Sequence, residues 1–132
     1  MNIANDSTGR TVLVVEDSPT QGLHIQALLR QYGLHVVCAG NGEAGIALAH
    51  QIKPDVIVLD MHMPDITGLE VCQRLKAESD TADVPIIIFT RNNDPTVVNA
   101  SFESGAVDYI PKDAFADAVL AETLRQMGFI QP

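Results

Sequence analysis

The chain has 132 residues, enough for one ordinary domain and too few for two. Hydrophobic residues make up 46%, so a core can form, and eight Lys+Arg against 17 Asp+Glu give a net charge of −9. Binding to nucleic acid or anionic membranes relies on basic patches, so this balance argues against both.

The N-terminal stretch MNIANDSTGR has no apolar run and is no secretory signal. Runs such as VIVL and PIIIF fall far short of the ~20 residues that span a bilayer, and a cytoplasmic protein is expected. Cys38 and Cys72 lie in no metal-ligand spacing and read as reduced core cysteines.

Short apolar runs alternate with helical patterns along the chain. TVLVVED (11–17) is β-branched and stops at two acids. Ser18 offers a helix cap with Pro19 behind it, and Ile25, Leu28, Leu29 and Tyr32 form a helical stripe that Gly33 closes. HVVCA (35–39) is the second strand. After the turn at Gly40, Asn41 and Gly42, a second helix is lined by Ala44, Ala47, Leu48 and Ile52. VIVLD (56–60) reads as a central strand covered on both faces. A loop over 61–68 precedes a third helix marked by Val71, Cys72 and Leu75.

VPIIIFT (84–90) is the fourth strand, and residues 95–104 form a helix carrying Val97, Val98 and Phe102, the last expected in the core. AVDYI (106–110) is a fifth, more amphipathic strand. The last helix, over 114–127, carries Phe115, Ala118, Val119, Leu124 and Met127. Five consecutive βα units call for a parallel α/β sheet with right-handed crossovers and helices on both faces. Such sheets bind ligands at the carboxyl ends of their strands.

Four strands end in chemistry: Glu16 and Asp17 after the first, Asp60 at the third, Thr90 at the fourth and Lys112 after the fifth. Individually these residues also read as a helix cap, a loop start, a capping hydroxyl and a solvated amine. Jointly they crowd three carboxylates at one sheet end, which requires positive charge among them. Lys112 supplies one, and a hard divalent cation such as Mg²⁺ suits the remainder.

The stretches VLVVEDSPT, PDVIVLDMHMPDITGLEV, PIIIFT and GAVDYIPK closely resemble the receiver domain of two-component response regulators, of the single-domain chemotaxis-regulator kind. The resemblance implies a doubly wound, flavodoxin-like (βα)5 fold with strand order 2-1-3-4-5. It divides the chain into an N-terminal arm (1–10), a receiver domain (11–128) and a tail (129–132). Asp60 would be the phosphoacceptor, taking the phosphoryl group from a sensor histidine kinase or a histidine phosphotransfer protein. Asp17 and Asp60 would ligate Mg²⁺, with Glu16 acting through water and the His62 backbone carbonyl completing the set. Lys112 would pair with the phosphoryl group, and Thr90 would hydrogen-bond it once attached.

Thr90 and Tyr109 would form the switch that remodels the face of the fourth helix, fifth strand and fifth helix for a protein effector. His62 and Asn92, two residues beyond Asp60 and Thr90, would tune dephosphorylation. The chain would thus be a signalling switch that catalyses only its own phosphorylation and dephosphorylation, with a homodimer open to it on activation.

The order Pro111-Lys112-Asp113 departs from the family's usual Lys-Pro. A cis bond without proline costs about 3 kcal/mol, so Lys112–Asp113 is expected to be trans, with the flexible lysine still reaching the site and Asp113 capping the last helix. Three rivals stand beside this reading. A haloacid-dehalogenase-like phosphohydrolase wants an aspartate where His62 stands. A flavodoxin-like cofactor binder wants a phosphate loop where EDSPT stands. A copper site at Met61-His62-Met63 wants converging ligands, whereas consecutive side chains along an extended loop diverge.

Overall fold

The structure, a computed structural model, describes residues 9–131. Five strands are β1 (Thr11–Val15), β2 (His35–Ala39), β3 (Val56–Leu59), β4 (Ile86–Thr90) and β5 (Asp108–Pro111). The helices are α1 (Pro19–Arg30), α2 (Gly42–Ile52), α3 (Gly68–Ala77), α4 (Pro95–Glu103) and α5 (Ala116–Gln126). All strand pairs are parallel, in the order β2-β1-β3-β4-β5, the flavodoxin-like doubly wound arrangement. No helix among the described residues is long and apolar enough to cross a membrane.

The sheet separates two cores because successive strand side chains point to opposite faces. Val12, Val14, Val58, Ile87 and Phe89 pack with Ile25 and Leu29 of α1 and Leu120 and Leu124 of α5. Leu13, Val15, Ile57, Leu59 and Ile88 pack with Ala49 of α2 and Val71, Cys72 and Leu75 of α3. β3 is buried at every position, which explains its unbroken apolar run.

Helix ends follow local chemistry. Ser18 Oγ accepts the Gln21 N–H, Asn41 the Ala44 N–H and Thr67 the Glu70 N–H, each satisfying a donor that the helix cannot. Gly33, at φ 81°, closes α1 in the left-handed region.

Several expectations are corrected. α2 buries Gly42, Gly45, Ile46 and Ala49, while Ala47 is exposed. The reason is close approach: a Cβ on Gly45 would stand 2.8 Å from Val15 Cγ2. α4 buries only Ser101, leaving Phe102 46% exposed and out of the core. α5 starts at Ala116, not 114, and faces inward through Ala116, Leu120, Ala121 and Leu124. Phe115 and Val119 are therefore 72% and 45% exposed. Asp113 does not cap α5; its carboxylate accepts the Phe115 N–H at 2.9 Å in the turn just before the helix. Cys38 is exposed because it sits on edge strand β2 and lines an open groove with Gly22 and Leu23 of α1, whereas Cys72 is buried as expected.

Residues of the expected arm and tail also make contacts with the sheet and its helices. Residues 1–8 of the N-terminal arm lie outside the described residues, but the Arg10 carbonyl accepts from His35 N and extends the β1–β2 ladder. The Arg10 guanidinium sits 5.3 Å from the Phe129 ring centroid, and Ile130 is buried against the α1–α5 core. Packing thus continues through Ile130, two residues into the expected tail, whose Pro132 lies outside the described residues.

Candidate functional site

The carboxyl ends of β1, β3, β4 and β5 converge on one cluster. Glu16 and Asp60 each stand one residue beyond a central strand, held by backbone bonds from Glu16 N to Ala39 O and from Asp60 N to Val15 O, both 3.0 Å. Glu16 is 7% and Asp60 8% exposed, while Asp17 turns outward. One carboxylate oxygen from each of the three lies within 4.8 Å of the others.

Donors surround the buried pair. Asp60 Oδ1 accepts from the Thr90 hydroxyl at 2.8 Å and the His62 N–H at 3.1 Å. Asp60 Oδ2 accepts from Lys112 Nζ at 3.1 Å, and Glu16 Oε1 from the same ammonium at 2.5 Å. The Gln21 side-chain carbonyl is the third acceptor of Lys112. The ammonium also lies 5.6 Å from the Phe89 ring centroid.

These surroundings push the two buried acids apart. Burial is the largest influence on Asp60 and raises its pKa, but the His62 N–H, the Thr90 hydroxyl and the Lys112 ammonium together outweigh it and hold the carboxyl below its usual range. Burial also dominates at Glu16. There the opposing Lys112 and Ser18 bonds are too weak and the Asp60 charge adds to the rise, so its pKa lies above the usual range.

The donor set fits a hard divalent cation. Three carboxylates against one ammonium leave two negative charges without a partner, and all candidate ligands are oxygens. Among the described residues none donates a hydrogen bond to the Asp17 carboxylate, the most open of the three.

The expected site residues otherwise fall as follows. Thr90 is fully buried, and its hydroxyl donates to Asp60. The His62 side chain is exposed and its N–H enters the site. Asn92 spends its side-chain oxygen on the Asp94 N–H at 2.9 Å, within the turn before α4. Its backbone carbonyl accepts the Tyr109 hydroxyl, so Tyr109 is half-buried and tethered. Burial, followed by the nearby charges of Asp60 and Asp94, raises the Tyr109 pKa. No peptide bond among the described residues is cis, and Lys112–Asp113 is trans as expected.

Met61 is buried in the α2–α3 core and Met63 packs against the same core while His62 faces solvent, so these three side chains form no copper box. Sequence reasoning missed two residues. Gln21 reads as an ordinary solvated side chain in a first helical turn. Asp65 reads as loop, yet its carboxylate accepts Gly42 N at 2.9 Å and Glu43 N at 2.8 Å, tying the β3–α3 loop to the start of α2. The only sequence signal for it is an acid beside Pro64.

A family model described as the response regulator receiver domain matches residues 12–125. The chain belongs to the response regulator receiver domain family. The receiver is 36% identical over 109 residues to protein PilH of Pseudomonas aeruginosa, covering 83% of this chain and 90% of that one. It is also 36% identical over 110 residues to the DNA-binding dual master transcriptional regulator RpaA of Synechocystis, covering 83% of this chain but 46% of RpaA.

Among solved structures it matches the Vibrio cholerae chemotaxis protein CheY4 with TM-score 0.82 and 28% identity, over 89% of this chain and 97% of that one. The receiver domain of sensor histidine kinase PA1611 from Pseudomonas aeruginosa, which has a magnesium ion coordinated in its active-site cleft, matches with TM-score 0.81 and 29% identity. That match covers 89% of this chain and 96% of the other. This is therefore a receiver domain of two-component signal transduction, a family phosphorylated by histidine kinases, with an acidic pocket suited to a metal ion.

Proposed function

We propose that Asp60 is the phosphoacceptor, and that the receiver takes its phosphoryl group from a phosphohistidine on a sensor kinase or histidine phosphotransfer protein. The observation that carries this reading is the Asp60 carboxylate, buried at the end of β3 yet held ionised by Thr90, His62 N–H and Lys112. A carboxylate is a competent nucleophile toward phosphorus, and phosphoryl transfer needs positioning and charge neutralisation above all. One Asp60 oxygen forms the new bond to phosphorus. The phosphorus–nitrogen bond breaks with its electron pair returning to the imidazole.

Glu16, Asp17 and Asp60 would hold Mg²⁺, with Glu16 through water and the His62 carbonyl as a further ligand. When bound, the ion neutralises charge on the phosphoryl oxygens. Lys112 would pair with those oxygens, releasing Asp60 Oδ2. Thr90 exchanges its bond to Asp60 Oδ1 for one to the phosphoryl group. That movement opens space beside the Tyr109 ring, whose tether to Asn92 is the contact to be remade.

The resulting two-state switch would act on the α4–β5–α5 face, where Phe102 and Val107 are 46% and 52% exposed and Val119 of α5 lies bare. Apolar exposure of this kind suits a protein effector or a second copy of the chain on activation. The exposed His62 side chain and Asn92 are the proposed tuners of hydrolysis. The net charge of −9 supports a signal passed through protein, without direct contact to nucleic acid or membrane. The receiver then acts in the cytoplasm and catalyses only its own phosphorylation and dephosphorylation.

Incubation with Mg²⁺ and acetyl phosphate tests the reading. The wild type gains one acid-stable, base-labile phosphate, and Asp60→Asn gains none. Equal labelling of the variant, or a folded wild type that stays unlabelled, overturns it; sustained turnover of phosphomonoesters would indicate a hydrolase instead.

A further inference from the structure

A lysine ammonium carries three donors and no acceptor. Lys112 meets three acceptors: Glu16 Oε1, Asp60 Oδ2 and the side-chain carbonyl of Gln21. The first two are carboxylates of the acidic site. The third is neutral and comes from α1, which contributes none of the expected site residues.

Both ends of the Gln21–Lys112 contact are anchored. Pro19 and the Ser18 cap fix the first turn of α1, and the Gln21 N–H donates to Ser18 Oγ at 3.3 Å. On the other side the Lys112 N–H donates to Thr90 O at 2.7 Å, which sets where its side chain leaves the sheet. The two residues meet in a groove of about 370 Å³ between α1 and the start of α5, shared with His24, Phe89 and Arg91.

Chemistry separates the three acceptors. Phosphorylation converts the Asp60 carboxylate into an acyl phosphate, and a divalent cation competes with Lys112 for Glu16. Gln21 is neutral, lies outside the carboxylate cluster and keeps its oxygen through both events. A lysine stem is long and rich in rotamers, so an ammonium with one steady acceptor is far better aimed than one without.

We infer that Gln21 is a positioning residue for Lys112: its side-chain carbonyl keeps the ammonium aimed between Glu16 and Asp60 as a phosphoryl group arrives. The inference rests on the phosphoacceptor reading of Asp60. Gln21 touches neither the reacting atoms nor the candidate metal ligands, and acts only through the lysine.

The test compares wild type with Gln21→Leu, which fills similar space without an acceptor, and Gln21→Glu, which restores an oxygen at the same reach. The first readout is the ¹H–¹⁵N correlation of the Lys112 ammonium in metal-free, unphosphorylated protein, assigned by its absence in Lys112→Met. It is expected in wild type and Gln21→Glu, and lost to solvent exchange in Gln21→Leu. The second is labelling by acetyl phosphate at saturating Mg²⁺. Gln21→Leu should label about tenfold more slowly, as expected for one lost hydrogen bond to a charged group, with an unchanged Mg²⁺ half-saturation. Gln21→Glu should recover most of that rate.

Wild-type labelling by Gln21→Leu with its ammonium signal intact would overturn the inference. So would a slow Gln21→Leu that Gln21→Glu fails to rescue. An unlabelled wild type would instead overturn the phosphoacceptor reading, and the ammonium signal, read without any phosphodonor, distinguishes that failure from the first.

Discussion

Replacing Gly68 with Ala sets two physical effects of opposite sign against each other. Gly68 opens α3, and its N–H donates to Met61 O at 3.0 Å. Helix propensity alone says alanine there stabilises by about 0.5–1 kcal/mol. The structure says otherwise: a Cβ would stand 2.6 Å from the Asp60 carbonyl oxygen, 2.8 Å from Met61 Cα and 2.9 Å from Met61 Sδ. The first contact is about 0.8 Å short of ordinary van der Waals distance, and two of the three atoms are backbone that no rotamer change can move aside. Overpacking of this kind costs about 1–3 kcal/mol, so sterics wins by roughly 1–2 kcal/mol.

For a domain of this size that lowers Tm by about 4–8 °C in a calorimetric melt. The segment that must give carries Asp60. Small displacements of a reacting group are costly, and acetyl phosphate labelling should slow by about tenfold. Gly22→Ala is the control. Nothing lies within 4 Å of its Cβ, inside α1, so propensity acts unopposed and Tm should rise by about 2–4 °C. If Gly68→Ala melts at or above the wild type, the close-packing argument for the Asp60 loop is refuted.

Asp17→Asn should leave Tm unchanged or raised, since it removes one of three crowded negative charges and no protein hydrogen bond; titration calorimetry should show Mg²⁺ affinity falling at least about tenfold. Asp65→Ala should lower Tm at neutral pH by releasing the start of α2. The bonds from Glu43 N–H, first among its influences, and Gly42 N–H hold the Asp65 carboxyl below its usual range. Its contribution is therefore complete above the unfolded-state pKa and is lost as pH falls through the folded value, so melts of wild type and variant should differ fully above about pH 4 and converge as pH falls further. Ile130→Ala should cost about 2 kcal/mol by urea unfolding because its side chain packs in the α1–α5 core; no change would refute that packing.

Strands and site were legible for the same reason. β-branched runs that end on polar residues mark parallel strands, and topology carries those ends together whatever the helices do. Glu16, Asp17, Asp60, Thr90 and Lys112 therefore came out of the sequence as a group. Helix faces were less legible because a large apolar side chain does not by itself mark the inward face. In α2 the smallest residue decides, since Gly45 lets the helix settle against Val15 and rotates Ala47 outward. Phe102 of α4, Phe115 just before α5 and Val119 of α5 are apolar and exposed, a pattern that no periodicity separates from core. Gln21 and Asp65 escaped notice because each works across the fold, 91 residues from Lys112 and 23 from Gly42.

The reversed Pro111-Lys112 order shows how the sheet tolerates a departure at its most sensitive loop. β5 is an edge strand, the one setting in which a residue without an N–H costs little. Pro111 pairs opposite Thr90, and the next residue restores the ladder through Lys112 N–H to Thr90 O at 2.7 Å. The bond that compensates for the proline thus joins the backbones of two site residues. It ties the root of the lysine to the residue whose hydroxyl holds Asp60, so the amine reaches the cluster along a path set by the sheet. A trans bond to Asp113 then suffices, because the direction of Lys112 is fixed before the turn into α5 begins. The position of the lysine is thus a property of strand pairing, with Gln21 and Glu16 completing what the backbone begins.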